Sequence, residues 1–488
     1  VLRDRFAAIA DARGVAVLPD GRLAVSRWRS RDDVAELALV DREDGDVEIA
    51  TLQFDPTAAS STRSGGIPSY LDQVLVSPQG DRIAVPSLQA NFTHGLFSDG
   101  EPLTFDETLR ATVSYLELPG FVEDFAARKQ LDNRALLSGG AWSSRGDYLF
   151  LVDRGTRAVE RVDAFTAGQA GVVLNIGHAP QGIAVSADDR WLFVDAYLSR
   201  ELVIYDVGDF DGLPVPTERL PIVAVEPLAP ALLLGKQLFN DSYDLRLAKD
   251  GYLACAHCHL DGETDRRTWD FTDRGEGLRN TASLLGHAGT GDGPIHWSAN
   301  FDEVQDFEND IRNGFGGTGL MSDADFATGT RAQTLGDPKA GVSADLDALA
   351  AYVASLDTPL PSPFRSDDGS LGPDAIAGAA LFDALGCASC HAGARMTDSA
   401  FVGPGDPLLH DVGTITAASG QRLGAPLTGL DTPTLVELWN GPPYLHSGAA
   451  ATVHDVLTTH NAGDLHGVTS GLTAAELDQL VAFLLSLE

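Results

Sequence analysis

The chain has 488 residues, 44% of them apolar, more than one ordinary domain needs and enough for roughly two to four cores. Its formal net charge is −36, from 70 acidic and 34 basic residues, which excludes nucleic acid or an anionic membrane surface as a partner. The acids are spread along the whole chain, as on a strongly solvated surface, and no apolar run is long enough to span a bilayer.

The first 225 residues read as repeats. Val15 to Val25 alternates β-branched and other residues on either side of Pro19-Asp20-Gly21. The shape returns at Val74 to Val85 around Gly80, at Ala141 to Val152 around Gly146, and at Ile183 to Val194 around Asp188-Asp189. Each predicts a β-hairpin closed by an Asp/Gly turn. The last turn-to-turn interval fits one propeller blade of ~45 residues, and the longer ones leave room for insertions such as Asn91 to Thr104. The pattern resembles the β-propeller repeats of bacterial surface-layer and quinoprotein-like families. At ~45 residues per blade the segment holds roughly five blades, a ring that is complete or short of blades. An open solenoid or a β-sandwich is the alternative.

Near Ala224 to Pro227 the periodicity becomes helical. A helix over Ala231 to Phe239 leads into Cys255-Ala256-His257-Cys258-His259. Ala344 to Leu356 is an amphipathic helix, and Asp357 to Pro373 reads as a linker rich in Pro, Ser, Gly and Asp. The layout then repeats. A helix over Ala375 to Leu385 runs into Cys387-Ala388-Ser389-Cys390-His391, and Thr473 to Leu487 closes the chain. C-x-x-C-H is the attachment motif of a c-type haem, with two thioethers from the cysteines and an iron ligand from the histidine. The two copies use all four cysteines, which leaves no disulfide framework and predicts two covalently attached haem c groups. His257, inside the first motif, is expected to face solvent. Covalent haem attachment takes place outside the bacterial cytoplasm, so a periplasmic or exported protein is expected, and a chain opening on Val1 reads as mature or trimmed. The fold expected is multidomain: an N-terminal all-β propeller over 1–225, then two tandem all-α cytochrome c domains over 226–357 and 358–488.

Residues 228–488 resemble the bacterial di-haem cytochrome c peroxidase family, which includes di-haem enzymes that oxidise residues of partner proteins. The resemblance rests on Leu234-Gly235-Lys236-Gln237-Leu238-Phe239, on Arg279-Asn280-Thr281, on Thr432-Pro433-Thr434-Leu435, and on Pro443-Tyr444-Leu445-His446-Ser447-Gly448, where Ser447 replaces the family's usual Asp. The resemblance implies a reactive first haem, an electron-transferring second haem, a tryptophan between them and a calcium ion at the domain interface. Trp297 falls at the bridging position, and Asn280 with the carbonyls of Gly441 and Pro443 at the calcium positions. Counting on from His446 as the family does places His460 as the sixth ligand of the second haem, which is then bis-histidine; the alternative is a surface histidine, and His446, His454 and His466 compete for the role. The family's distal glutamate is missing, because Leu320 stands there in Gly316-Gly317-Thr318-Gly319-Leu320-Met321. Glu308 is the nearest substitute, set against a solvated helix face. Met321 is either a ligand that closes the first haem or a packing residue. His287 and His296 are each a distal group or a structural histidine.

Two functions fit. One is a di-haem peroxidase or peroxide-driven oxidase, with hydrogen peroxide and an electron-carrier protein or a partner-protein substrate. The other is a non-enzymatic electron-transfer cytochrome, or an assembly subunit, with both haems six-coordinate and the repeats as a docking unit.

Overall fold

The computed structural model describes residues 8–210 and 212–488. Each Asp/Gly hairpin seeds one antiparallel sheet. The first runs β1 (Ala12–Val17), β2 (Leu23–Arg27), β3 (Val34–Val40) and β4 (Val47–Gln53) in order. The second holds β5 (Ile67–Ser69), β6 (Leu75–Val76), β7 (Arg82–Ala90), β8 (Leu109–Glu117), β9 (Val122–Glu123) and β10 (Lys129–Leu131), with the four-residue helix α1 (Phe105–Thr108) between β7 and β8. The third runs β11 (Leu137–Trp142), β12 (Tyr148–Asp153), β13 (Ala158–Asp163) and β14 (Gln169–Val173). The fourth runs β15 (Pro180–Val185), β16 (Trp191–Ala196), β17 (Glu201–Asp206) and β18 (Pro216–Pro221). The turns need a left-handed residue, and Gly21, Gly80, Gly146 and Asp189 supply it with φ of 91°, 70°, 69° and 57°.

The sheets stack in sequence order. Leu37, Leu39 and Leu52 of the first share a core with Ile83, Val85 and Leu116 of the second. Strand β12 is apolar on both faces because it is covered on both. Leu149 and Leu151 pack with Val113 and Tyr115 of the second sheet, while Phe150 and Val152 pack with Leu192 and Val194 of the fourth. Among the described residues the first and fourth sheets share no strand pairing, and there are four sheets where roughly five blades were expected.

The C-terminal half departs from the two all-α domains expected. Helices make up only 19% of the chain and strands 26%. The helices are α2 (Pro230–Phe239), α3 (Phe307–Asn313), α4 (Asp323–Phe326), α5 (Ala344–Ala354), α6 (Pro373–Ala384), α7 (Val453–Leu457) and α8 (Ala474–Leu485). Between them lie three two-stranded sheets: β19 (Thr268–Asp270) with β20 (Leu278–Asn280), β21 (Phe401–Gly403) with β22 (Asp406–Pro407), and β23 (Gln421–Arg422) with β24 (Ala425–Pro426). The cause is compositional. The intervening segments carry Gly, Pro and Asp too often for a helix to propagate.

Two helix pairs repeat the same packing. α2 crosses α5 at Gly235, where a Cβ would run into the Ala348 carbonyl. α6 crosses α8 at Gly378, where a Cβ would run into the Gln479 carbonyl. Side chains capping the N-termini fix where the second helix of each pair starts. Ser343 accepts from the Leu346 N–H, and Thr473 accepts from the Glu476 N–H.

The β-sheet half and the first motif unit share one core, with Trp28, Tyr70, Leu88 and Phe105 on one side and Leu238, Phe239, Trp269, Met321 and Tyr352 on the other. A buried polar clamp ties in the second unit. Arg29, 2% exposed, donates to Asn440 Oδ1 at 2.9 Å and to the Thr264 carbonyl at 3.1 Å, and is ion-paired with Asp11 at 2.9 Å. Arg266 donates to Asn440 Oδ1 at 2.9 Å, and the Asn440 amide donates to Glu263 and Glu437. Overpacking a helix crossing costs about 1–3 kcal/mol. Gly235→Ala and Gly378→Ala are each expected to lower stability by that amount in denaturant unfolding, and an unchanged midpoint refutes the crossing assignment.

Candidate functional site

Cys255–His257 forms one 3-10 turn, which sets both thiols and His259 at the floor of a cavity of about 970 Å³. That is the upper end of the ~300–1,000 Å³ typical of small-molecule sites. Apolar walls come from Leu238, Phe239, Leu247, Leu349 and Val353, with Trp269 and Trp297 at the rim. Both thiols are free and partly exposed to the cavity. His259 Nδ1 is buried without a hydrogen-bond partner, and burial pushes the imidazole pKa down to about 4, so it is neutral and able to ligate. Two thiols, a neutral imidazole and apolar walls fit a covalently attached macrocycle. His257 does not face solvent. It is 1% exposed, and its Nδ1 accepts from the Ala254 N–H at 2.9 Å, bracing the turn.

Glu308 does not reach the cavity. It is fully buried and folds back onto its own helix and the following loop, where it accepts from Arg312 Nε at 2.7 Å, from the Leu320 N–H at 2.9 Å and from the Met321 N–H at 3.1 Å. The same contacts hold Leu320 and Met321 in the core, with the Met321 carbonyl accepting from Arg312 at 2.6 Å. Neither residue lines the cavity. The carboxylate that does line it from α3 is Asp310. No protein group hydrogen-bonds to the Asp310 carboxylate among the described residues, and burial raises its pKa to about 6 against the opposing pull of Arg274. The signal in the sequence was helical spacing. Asp306 and Asp310 are four apart on one face, whereas Glu308 points elsewhere. Asp306 is consumed by a buried ion pair with Lys339 at 2.5 Å.

His296 and His287 both line the cavity and are both tied down. His296 bonds Asn300 at 2.7 Å and packs on Phe301 and Phe307, while His287 faces Asp292 at 3.0 Å. The cavity continues past Trp297 to Asp431, Thr432 and Pro433. Trp297 donates its Nε1–H to the Asn280 carbonyl at 2.9 Å, and its ring lies edge-on to His446 at 6.4 Å. Asn280 donates its amide to the Pro443 carbonyl at 2.6 Å, and its Oδ1 is buried with no hydrogen-bond partner among the described residues.

The second motif repeats the first: a 3-10 turn at Cys387–Ser389, then His391. His391 Nδ1 pairs with the Met396 carbonyl at 3.1 Å, which orients the ring and leaves Nε2 free. The ring opposite is His466, not His460. The His391 and His466 centroids are 6.3 Å apart, about what two nitrogen–metal bonds of ~2 Å plus the two ring radii require. Burial beside His391 keeps His466 neutral, with a pKa near 4. Asn461 builds the presenting loop. Its Oδ1 accepts from the His466 N–H at 2.9 Å, and its amide donates to the Gly467 carbonyl at 2.8 Å and to Thr469 Oγ1 at 2.9 Å. His460 sits at the far end of this loop, its own N–H bound to the Asp455 carbonyl.

No family model matches the chain. Among curated proteins it is 30% identical over 295 residues to the hydrazine synthase subunit gamma of Kuenenia stuttgartiensis, covering 52% of this chain and 76% of that one. It is 28% identical to a cytochrome-c peroxidase of Denitromonas iodatirespirans, covering 57% of this chain and 86% of that one. It is 26% identical to the cytochrome c551 peroxidase of Pseudomonas aeruginosa, covering 52% and 77%.

With haem bound, His466→Ala is expected to convert the second haem from low spin to high spin, read by EPR of the ferric protein, while His460→Ala leaves it low spin. The reverse pattern restores His460 as ligand.

Proposed function

Because the chain belongs to the di-haem cytochrome c peroxidase family, we propose that it is an extracytoplasmic oxidoreductase that carries two haem c groups and reduces a peroxide at the first. Cys255, Cys258 and His259 hold the first haem, and Cys387, Cys390 and His391 hold the second, with His466 opposite. Bound haem would relay the two electrons of the reaction from a reduced carrier protein to the peroxide. A second haem ligated by two imidazoles favours the ferric state over one with a thioether ligand, which suits a donor. Trp297 lines the cavity of the first motif, and its indole N–H is fixed by the Asn280 carbonyl, which supports a bridging role toward the second haem.

The observation that carries this reading is the Asp310 carboxylate, free of protein partners and facing the first cavity. Reducing peroxide to two waters takes two electrons and two protons. It also needs a group that accepts the proton of one oxygen and delivers it to the other. Asp310 lines the same cavity as His259, which supports that role, and a pKa near 6 lets it act in both directions close to neutral pH. Met321 as a ligand would have favoured the electron-transfer alternative, and the Glu308 and Arg312 bonds that hold Met321 in the core weigh against that. The surplus of 70 acids over 34 bases suits a basic electron carrier as donor. Among the described residues no helix is long and apolar enough to cross a membrane.

A raised carboxyl pKa leaves Asp310 protonated below about pH 6, unable to take the peroxide proton. Peroxidase kcat/KM is therefore expected to fall as pH drops through about 6. Asp310→Asn is expected to lose ~10²–10⁴-fold and this pH limb with it, while Met321→Leu keeps both. An Asp310→Asn variant with wild-type turnover refutes the assignment.

A further inference from the structure

We propose that a second, smaller cavity between the third sheet and the α2/α5 pair binds a small oxyanion that carries its own O–H group, such as hydrogen phosphate or bicarbonate. The cavity is about 270 Å³ and is separated from the haem cavity by Phe239, which lines both. The proposal does not depend on the redox chemistry next door.

The walls hold polar groups that the protein leaves unused. Arg154 enters from the turn after β12, its side chain 6% exposed. Its Nη2 reaches Asp261 Oδ1 at 3.4 Å, but its Nε is buried with no acceptor. Asn240, 3% exposed at the end of α2, gives its amide to the Lys236 carbonyl at 2.9 Å and leaves Oδ1 buried with no donor. Tyr352 lines the cavity from α5, and its hydroxyl bonds to no protein group among the described residues. Lys236 completes the ring, its Nζ bonding among the described residues only to the Tyr197 hydroxyl, at 3.3 Å. A buried donor and a buried acceptor, both unpaired on one cavity wall, are costly to keep unless something fills them.

Charge selects the occupant. Asp261 is already matched by Arg13 at 2.9 Å and by Arg154, and Arg13 also pairs with Asp72 at 3.0 Å. The cavity wall itself carries two cations, Arg154 and Lys236, and one carboxylate, Asp261, so Lys236 is the surplus. An anion satisfies Arg154 and Lys236. Only an anion with a proton to donate also satisfies Asn240 Oδ1, which sets hydrogen phosphate and bicarbonate above sulfate and chloride.

The test is isothermal titration calorimetry of the haem-loaded protein at constant ionic strength, with sodium phosphate, bicarbonate, sulfate and chloride. Phosphate or bicarbonate should bind one per chain, at least ~10-fold tighter than sulfate. Lys236→Gln, a half-exposed position, should weaken binding by ~10-fold or more, and Arg154→Gln should abolish it with the circular dichroism spectrum unchanged. Absence of saturable binding by both anions overturns the proposal. So does equal binding of sulfate, or binding that survives in Lys236→Gln.

Discussion

The apolar seam between the second sheet and the first C-x-x-C-H unit is the constraint on which the site depends. Trp28, Tyr70 and Phe105 come from the sheet half, and Trp269, Leu253, Leu260 and Ile311 from the motif half. Neither set is covered without the other. The cavity above His259 is walled by residues of this seam, Phe105, Leu238, Leu253 and Trp269 among them, so its shape is fixed by the packing of the two halves. A short 3-10 turn could not hold two thiols and an imidazole in place unaided. It is held because Ala254 and Ala256 are buried on one side and His257 braces the turn from beneath.

Against that frame the two motif units are unequal. The first lies against the sheets, is deeply buried and opens into a large cavity. The second rests on its own small core of Phe382, Tyr444, Leu457 and Leu480 and has a second histidine across from the first. Identical motif chemistry thus meets different surroundings, one beside a large cavity lined by a carboxylate and the other facing a second imidazole. The sequence difference that matters lies well outside the motifs, at Asp310 and at His466.

The hairpins were legible because a left-handed turn between β-branched runs has few other solutions, and Gly21, Gly80, Gly146 and Asp189 mark it. The C-x-x-C-H sites were legible because their chemistry is local. The four helices of the two pairs were legible from their periodicity, nearly end to end, but classing the two motif units as all-α overestimated the helix content. Glu308 and Asp310 are two residues apart on a helix, and only the fold reveals that one carboxylate straps a loop while the other faces a cavity. His466 stood among the competing histidines, but position along the chain did not single it out. A ligand count along the chain assumes a loop of fixed shape, and here Asn461 folds that loop so that His466, and not His460, faces His391.

The Asn440 clamp bears on how the chain can be divided. The sheets end at Pro221 and α2 begins at Pro230, an inviting place to cut. A fragment starting there would keep Asn440, Glu263 and the Thr264 carbonyl but lose Arg29, the buried guanidinium that serves all three. It would also bare the apolar side of Trp269 and Leu260. The β half is therefore part of the first haem pocket's wall and charge balance, and the haem-binding half on its own is a different electrostatic object from the same residues in the whole chain.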